Sequence, residues 1–277
     1  MTSSASALAS VLAVESDPGG GFVSPSIAEF YPPALAEFSI FGIDFTITRI
    51  TVISWIATAA ILAFLVLASR RMTVVPRKSQ FLLEGGYSLV RDNIARDVIG
   101  PKYKPFVPFL GALFFFIIAN NAMSIIPFFQ ISPMSKFAYP LVLAILVYIL
   151  YNAVAIKNKG LGGYLKEVAV PPGVPPVFLI LVTPIELLQV FIIRPFTLAV
   201  RLFANLFAGH MLLVVFSLGT VYLLGKVGEN FSFVFAPFSF LMALFMTFFE
   251  VLVIVLQAYV FTVLTATYLN GAVEEGH

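Results

Sequence analysis

Six residues able to do acid–base or electrostatic chemistry stand inside otherwise apolar stretches of this chain: Glu186, Arg194, Arg201, His210, Glu250 and Gln257. Arg201 opens the run "RLFANLFAGH" (201–210) and lies at the middle of its apolar segment, too far from either end to reach water easily. An arginine at the centre of a bilayer costs roughly 2.5–3.5 kcal/mol on insertion scales, so a position like this marks function. Its helical neighbours at i±3 and i±4 are Thr197, Leu198, Ala204 and Asn205, none of them acidic. The face through Leu198, Arg201, Asn205 and Ala208 carries small or modest side chains, which lets another helix come close. Backbone carbonyls or Asn205 could satisfy the guanidinium locally. The alternative, which this pattern favours, is a carboxylate partner on another chain. Arg194 precedes Pro195, nearer the segment's end, where its long side chain can snorkel to the interface.

Glu250 and Gln257 are seven residues apart and share one helix face. Treating the two long apolar segments as a hairpin centred on Gly228 sets Arg201 level with position 255, two from Gln257. The same register sets His210 level with position 246, four from Glu250. A histidine and a glutamate at one depth can hold a proton in the physiological range, or can simply fix helix register. Beside an unpaired arginine, the proton relay is the better reading. The arginine would keep an arriving carboxylate ionised and block direct leakage, so the path divides into two halves around a barrier.

These residues need long membrane helices to hold them. The chain has 277 residues, 60% hydrophobic and only 11% charged, with a mean hydropathy of +1.00. Soluble domains carry about a quarter charged residues, so this is an integral membrane protein. It has no cysteine, which excludes disulfides and thiolate metal sites, and its net charge of +2 gives no footing for nucleic acid. No cofactor or metal site is expected.

The spacing predicts an all-α polytopic protein with five crossings and one surface helix. The first span is 50–69. Residues 79–98 are too polar to span and alternate Phe81, Leu82, Leu89, Ile94 and Val98 with charges, as an amphipathic helix on the membrane surface does. Spans follow at 106–129, with Asn120 and Asn121 paired inside it and Pro127 closing it, and at 137–156, closed by "KNKG". After "VPPGVPP" (170–176), the segments 177–224 and 231–270 are too long for upright crossings: as helices they would measure about 72 and 60 Å against a core of about 30 Å. Each is either two helices, with breaks at Pro184 and Pro195 in the first, or one steeply tilted helix. The short link "GKVGEN" makes the pair an antiparallel hairpin, and tilt would require a large neighbour along one side.

Eleven basic residues (Arg70, Arg71, Arg77, Lys78, Arg91, Arg96, Lys102, Lys104, Lys157, Lys159, Lys166) fall on one side of this topology. Only Arg49, Lys136 and Lys226 fall on the other. The positive-inside rule then puts the N-terminus outside and "VEEGH" in the cytoplasm. Residues 1–48 read as a loose polar extracytoplasmic extension ahead of a membrane domain, 49–277. The N-terminus lacks the positive region of a cleavable signal, and it is not the Arg-rich, acid-poor sequence of a transit peptide. A bacterial plasma membrane is expected.

Over "PIELLQVFIIRPFTLAVRLFANLFAGHMLLVVF" (184–216) and "FFEVLVIVLQAYVFTVLTATYLNGAVEE" (248–275) the chain resembles subunit a of the F-type ATP synthase. The "RLFxN" core and the "LQAxxFxxLT" run are specific to that family, and the likeness extends from about residue 36 to the C-terminus. The resemblance implies a proton-translocating stator subunit, with no ATP chemistry of its own. Two offset half-channels would load and unload the carboxylates of a rotating c-ring. It implies the c-ring, the subunit b peripheral stalk and the rest of the synthase as partners, in a lipid bilayer, with H⁺ as the transported ion. Arg201 stands at the family's essential arginine, the separator of the half-channels. Asn205, His210, Glu250 and Gln257 stand where the family lines the outer half-channel. Many bacterial members carry the His210 and Glu250 types in the reverse order, which preserves the pair. Glu186 sits one residue farther from the arginine than in many members and marks the cytoplasmic exit. A free-standing secondary ion transporter is the alternative, but it predicts internal repeats that the two halves do not show. An intramembrane hydrolase would need a metal cluster or a nucleophile–base pair, and a purely structural subunit would leave the cost of Arg201 unexplained.

Overall fold

The computed structural model describes residues 22, 33–40, 43–70, 78–126, 129–170, 176–225 and 231–273. Outside them lie Arg71, Arg77, Pro127, residues 1–21, the interiors of both linkers (171–175 and 226–230) and 274–277, on which the topology reading above also draws. Five helices are long and apolar enough to cross a membrane: Arg49–Ser69, Lys104–Ala122, Ala138–Ala169, Phe178–Gly225 and Phe233–Val273. The protein is an all-α polytopic membrane protein.

Two strands, β1 (Ala34–Ile40) and β2 (Ile43–Thr48), pair antiparallel with a register shift between Ala34 and Ala36. They lie within the stretch read from composition as a loose extension. The alternation in "IDFTIT" is a period-two pattern, and it forms a ribbon. Helix α1 (Arg49–Ser69) begins directly after β2. Helix α2 (Lys78–Ser88) continues through a π-helical stretch, Leu89–Arg96, and a closing turn, Asp97–Ile99. Its buried apolar residues are Val90, Ile94, Ala95 and Ile99, with Gln80 also buried, while Phe81 and Leu82 are exposed. The inward face is therefore set by the π-helical stretch rather than by the first apolar pair.

Helix α3 (Val107–Ala122) stops seven residues short of the expected 129. Side chains there take over its last carbonyls: Ser124 Oγ donates to Asn121 O at 2.8 Å and Ser132 Oγ to Asn120 O at 3.2 Å. Terminal carbonyls need such partners, and these supply them without water. Helix α4 (Ala138–Ala169) runs past the expected end at 156, because nothing in "KNK" breaks a helix. Gly160 does break it, at φ 72° and ψ 160°. Helix α5 (Pro176–Leu188) passes through a π-helical turn, Gln189–Ile193, into α6 (Arg194–Gly225), and α7 (Ala236–Val273) follows a 3₁₀ turn. Of the two alternatives for each long segment, both adopt the unbroken helix. Pro184 lies inside α5 without ending it, and the wide turn before Pro195 absorbs the missing N–H.

The described residues form two compact units. In the smaller one, residues 209–249 with Phe22, Ser239 Oγ donates to Phe216 O at 2.9 Å and a Cβ on Gly219 would lie 3.2 Å from Ser239 Oγ. Small residues let α6 and α7 approach closely at that point. In the larger one, residues 33–208 and 250–273, one core runs from Val90 and Ile94 through Leu110, Phe114 and Ile117. It continues through Val147 and Tyr151, Leu202 and Leu206, to Phe261 and Leu269.

Candidate functional site

Leu198, Ala199, Leu202 and Leu206 turn one face of α6 into the core of the larger unit. That choice fixes the opposite face, on which Thr197, Arg201, Ala204, Asn205 and Ala208 are exposed. No hydrogen bond or ion pair joins Arg201 to any described residue, Asn205 and Gln257 included. The guanidinium is thus held by a packed helix on a surface of small and uncharged side chains. Gln257 points the other way, into the core, at 4% exposure. The two share a helical pair but not a contact.

Glu250 is 2% exposed, and both carboxyl oxygens lack a hydrogen-bond partner among the described residues; the Ser124 side chain lies beside it. Ser124 belongs to a buried polar cluster at the end of α3. There Ser54 Oγ donates to Asn120 Oδ1 at 2.9 Å, Asn120 Nδ2 donates to Phe116 O at 2.9 Å, and Ser132 holds Asn120 and Asn121. The pair "NN" was visible in the sequence, but its link to Glu250, some 130 residues away, was not. His210 is buried in the smaller unit, whereas Glu250 belongs to the larger.

Arg194 contrasts with Arg201. Its Nη2 donates to Glu186 Oε1 at 3.4 Å, and its guanidinium carbon lies 5.7 Å from the centroid of the Tyr268 ring. Eight residues on a regular helix would place these side chains about 80° apart around the axis. The π-helical turn corrects this: Arg194 N–H reaches Gln189 O, five residues back, so one extra residue is absorbed and the pair meets on one face. The sequence reading of Arg194 as a snorkelling residue missed this, since a π turn has no sequence signature as plain as proline or glycine.

Glu186 and Arg194 line a cavity of about 510 Å³ with Gln189 and Thr197 from the same helical run, Tyr151, Lys159, Tyr164 and Glu167 from α4, and Tyr268 from α7. Tyr151 OH donates to Val190 O at 2.9 Å, Tyr164 OH to Asn152 Oδ1 at 2.6 Å, and Lys159 Nζ lies 2.8 Å from a Glu167 oxygen. The larger unit thus has a bare cation on one surface, a buried unpaired carboxyl in a polar cluster, and a hydroxyl- and carboxylate-lined cavity. An exposed cation of this kind can stabilise a negative charge, and carboxyl and hydroxyl groups of this kind can exchange protons. No group of three or more His, Asp and Glu able to hold a metal ion occurs among the described residues.

Comparison with known proteins places the chain in a family. The family described as ATP synthase A chain matches residues 51–270. The chain is 42% identical over 254 residues to the ATP synthase subunit a of Parafrankia sp., covering 91% of this chain and 85% of that protein. It is 39% identical over 265 residues to the subunit a of a Nocardioides species, covering 94% and 96%. With that of Rhodococcus erythropolis it shares 43% over 252 residues, covering 91% and 90%.

Proposed function

This chain belongs to the ATP synthase A chain family, and from that premise we propose that it is the proton-translocating stator subunit of the synthase's membrane sector. It stands against a c-ring in a bacterial plasma membrane, N-terminus outside and C-terminus in the cytoplasm, with subunit b and the rest of the synthase as further partners. It carries no ATP chemistry and couples proton flow to that chemistry elsewhere. Asn205, His210, Glu250 and Gln257 line the half-channel from the outer side, and Glu186 lies in the half-channel to the cytoplasm.

The observation that carries this reading is the exposure of Arg201. A cation on the exposed face of a membrane-crossing helix, paired with no carboxylate among the described residues, is stable only if one is supplied from outside. A ring that presents one carboxylate after another supplies it repeatedly. The arginine attracts each ionised carboxylate and keeps it from taking a proton while it passes, so protons are loaded on one side and shed on the other. Because Leu198, Ala199 and Leu202 are buried directly beneath, the cation cannot swing into the chain's interior.

The test is ATP-driven acidification of inverted vesicles carrying Arg201→Ala, with assembly measured in the same membranes. Normal assembly without pumping is the expected result. Pumping near the wild-type rate would overturn the assignment of Arg201 and the division into half-channels.

A further inference from the structure

The third crossing does not end as a simple helix. Gly160 takes φ 72°, and the next residues, "LGG", carry two more glycines. Beyond them, residues 161–169 turn back along the helix they came from. Twelve residues of continuous helix would separate Asn152 from Tyr164 by about 18 Å; instead Tyr164 OH and Asn152 Oδ1 meet at 2.6 Å. Lys159 Nζ and Glu167, eight residues apart, meet at 2.8 Å. The returning segment is buried on one side only, at Tyr164 and Val168, and that side lines the cavity holding Glu186 and Arg194.

We propose that residues 161–169 are a hinged cover over this cavity, pivoting at Gly160 and latched by Tyr164 on Asn152 and by Glu167 on Lys159, and that its release controls access to Glu186. Three features let it act as a cover. Only Tyr164 and Val168 join the apolar core, with Tyr164 edge-on to Phe191, while Leu161 and Leu165 stay exposed and the remaining ties are polar. Its first turn holds glycines at 162 and 163, the poorest helix formers after proline, so it unwinds at little expense. The stem, by contrast, is anchored independently of the cover: Lys159 Nζ also donates to Gly271 O at 3.1 Å and Asn158 Nδ2 to Ala272 O at 3.3 Å. The cover can therefore lift while the stem stays on α7. The far end remains tied, because Thr183 Oγ1 donates to Ala169 O. The existence of the cover does not depend on the function proposed above; that the protons it admits are those of the ring does.

The chain has no cysteine, so one introduced thiol reports cleanly. Ala155 lines the cavity and is 2% exposed. In inverted vesicles holding the whole complex, Ala155→Cys would be labelled with a charged, membrane-impermeant maleimide. Tyr164→Phe with Glu167→Ala, which removes both latches, should raise the labelling rate roughly tenfold, as loss of two modest hydrogen-bonded ties would. Gly160→Ala touches neither latch but strains the hinge at positive φ, and should also speed labelling, by a smaller factor. It decides the matter if the double variant fails to assemble. A rate unchanged by the assembled variants, whether fast or slow, would overturn the cover. Arg201→Ala should leave the labelling contrast intact. Loss of that contrast therefore counts against the cover, while persistent pumping in Arg201→Ala counts against the function.

Discussion

Arg194 and Arg201 lie seven residues apart on one helix, two turns along nearly the same direction, yet the structure treats them oppositely. Arg194 is half-buried, donates to Glu186 and stacks over Tyr268. Arg201 is exposed and unpaired among the described residues. The difference comes from what α6 buries: Leu198, Ala199 and Leu202 commit the intervening turn to the core, and the cavity with its acid lies on the Arg194 side. One arginine completes an ion pair within its own chain. The other has no partner among the described residues. Burial and partnering, rather than residue type, separate the arginine held in its own chain from the one proposed to act on a partner.

That contrast breaks most visibly if the two are removed in turn. Arg201→Ala should abolish pumping in assembled complexes, a loss of at least about a hundredfold, the scale expected when a group that stabilises charge during the chemical step is removed. Arg194→Ala should leave pumping within a few-fold of wild type. Equal losses in the two, read as initial acidification rates in the same vesicles, would erase the distinction drawn from exposure.

A finer test concerns whether Arg194 serves Glu186. The pair is nearly a third exposed on each side and 3.4 Å long, so its coupling should be about 1 kcal/mol or less. Arg194→Ala, Glu186→Gln and the double variant, compared by pumping rate, should then give an interaction of no more than about fivefold, with the double variant no worse than the poorer single. Strict additivity would mean that the two share the cavity without acting together.

Much of this was legible in the sequence, for definite reasons. Arg201, Asn205, His210, Glu250 and Gln257 stand out because charge and amide are rare in apolar helices, and "RLFxN" and "LQAxxFxxLT" are specific runs. The five crossings followed from length and hydropathy. What could not be read was anything set by local departures from the regular helix. The π turn at 189–193 that brings Arg194 onto Glu186 has no residue signature. The turn-back at Gly160 hid behind a basic run that ordinarily marks the end of a span. The association of Ser124 with Glu250 joins residues 126 positions apart, beyond any periodicity. The choice between broken and continuous long helices turned on how prolines are accommodated, which sequence alone leaves open.

Away from the arginines the effects should be of another kind, on stability rather than transport. Asn120 is fully buried, accepts from Ser54 Oγ and donates to Phe116 O, both at 2.9 Å. Hydrogen bonds between membrane helices are worth about 0.6 kcal/mol on average and up to about 1.7. Asn120→Ala should therefore lower the temperature at which the solubilised complex releases this chain, while Ser54→Ala, which removes one bond only, should lower it less. If Asn120→Ala instead removes pumping at an unchanged release temperature, the cluster beside Glu250 belongs to the transport machinery, and the division between bare cation and passive scaffold is too simple.

The smallest effect is expected at Gly86, where α2 crosses α3. A Cβ there would meet the Phe115 ring at 2.9–3.0 Å, closer than carbon atoms tolerate. The obstacle is the far edge of a side chain that can rotate, not backbone, so Gly86→Ala should cost no more than about 1 kcal/mol. The gain in helix propensity over glycine offsets part of that strain. Gly86→Val adds branches on the same contact and should cost more. Neither variant touches α6, so both should pump at the wild-type rate once assembled. A release temperature lowered in the order valine, then alanine, with unchanged acidification, would place α2 as support for the helices that carry the charges. Impaired pumping in well-assembled Gly86→Ala would mean that the position of α2 is transmitted to Arg201, and the bare face of α6 would then depend on more than the core directly beneath it.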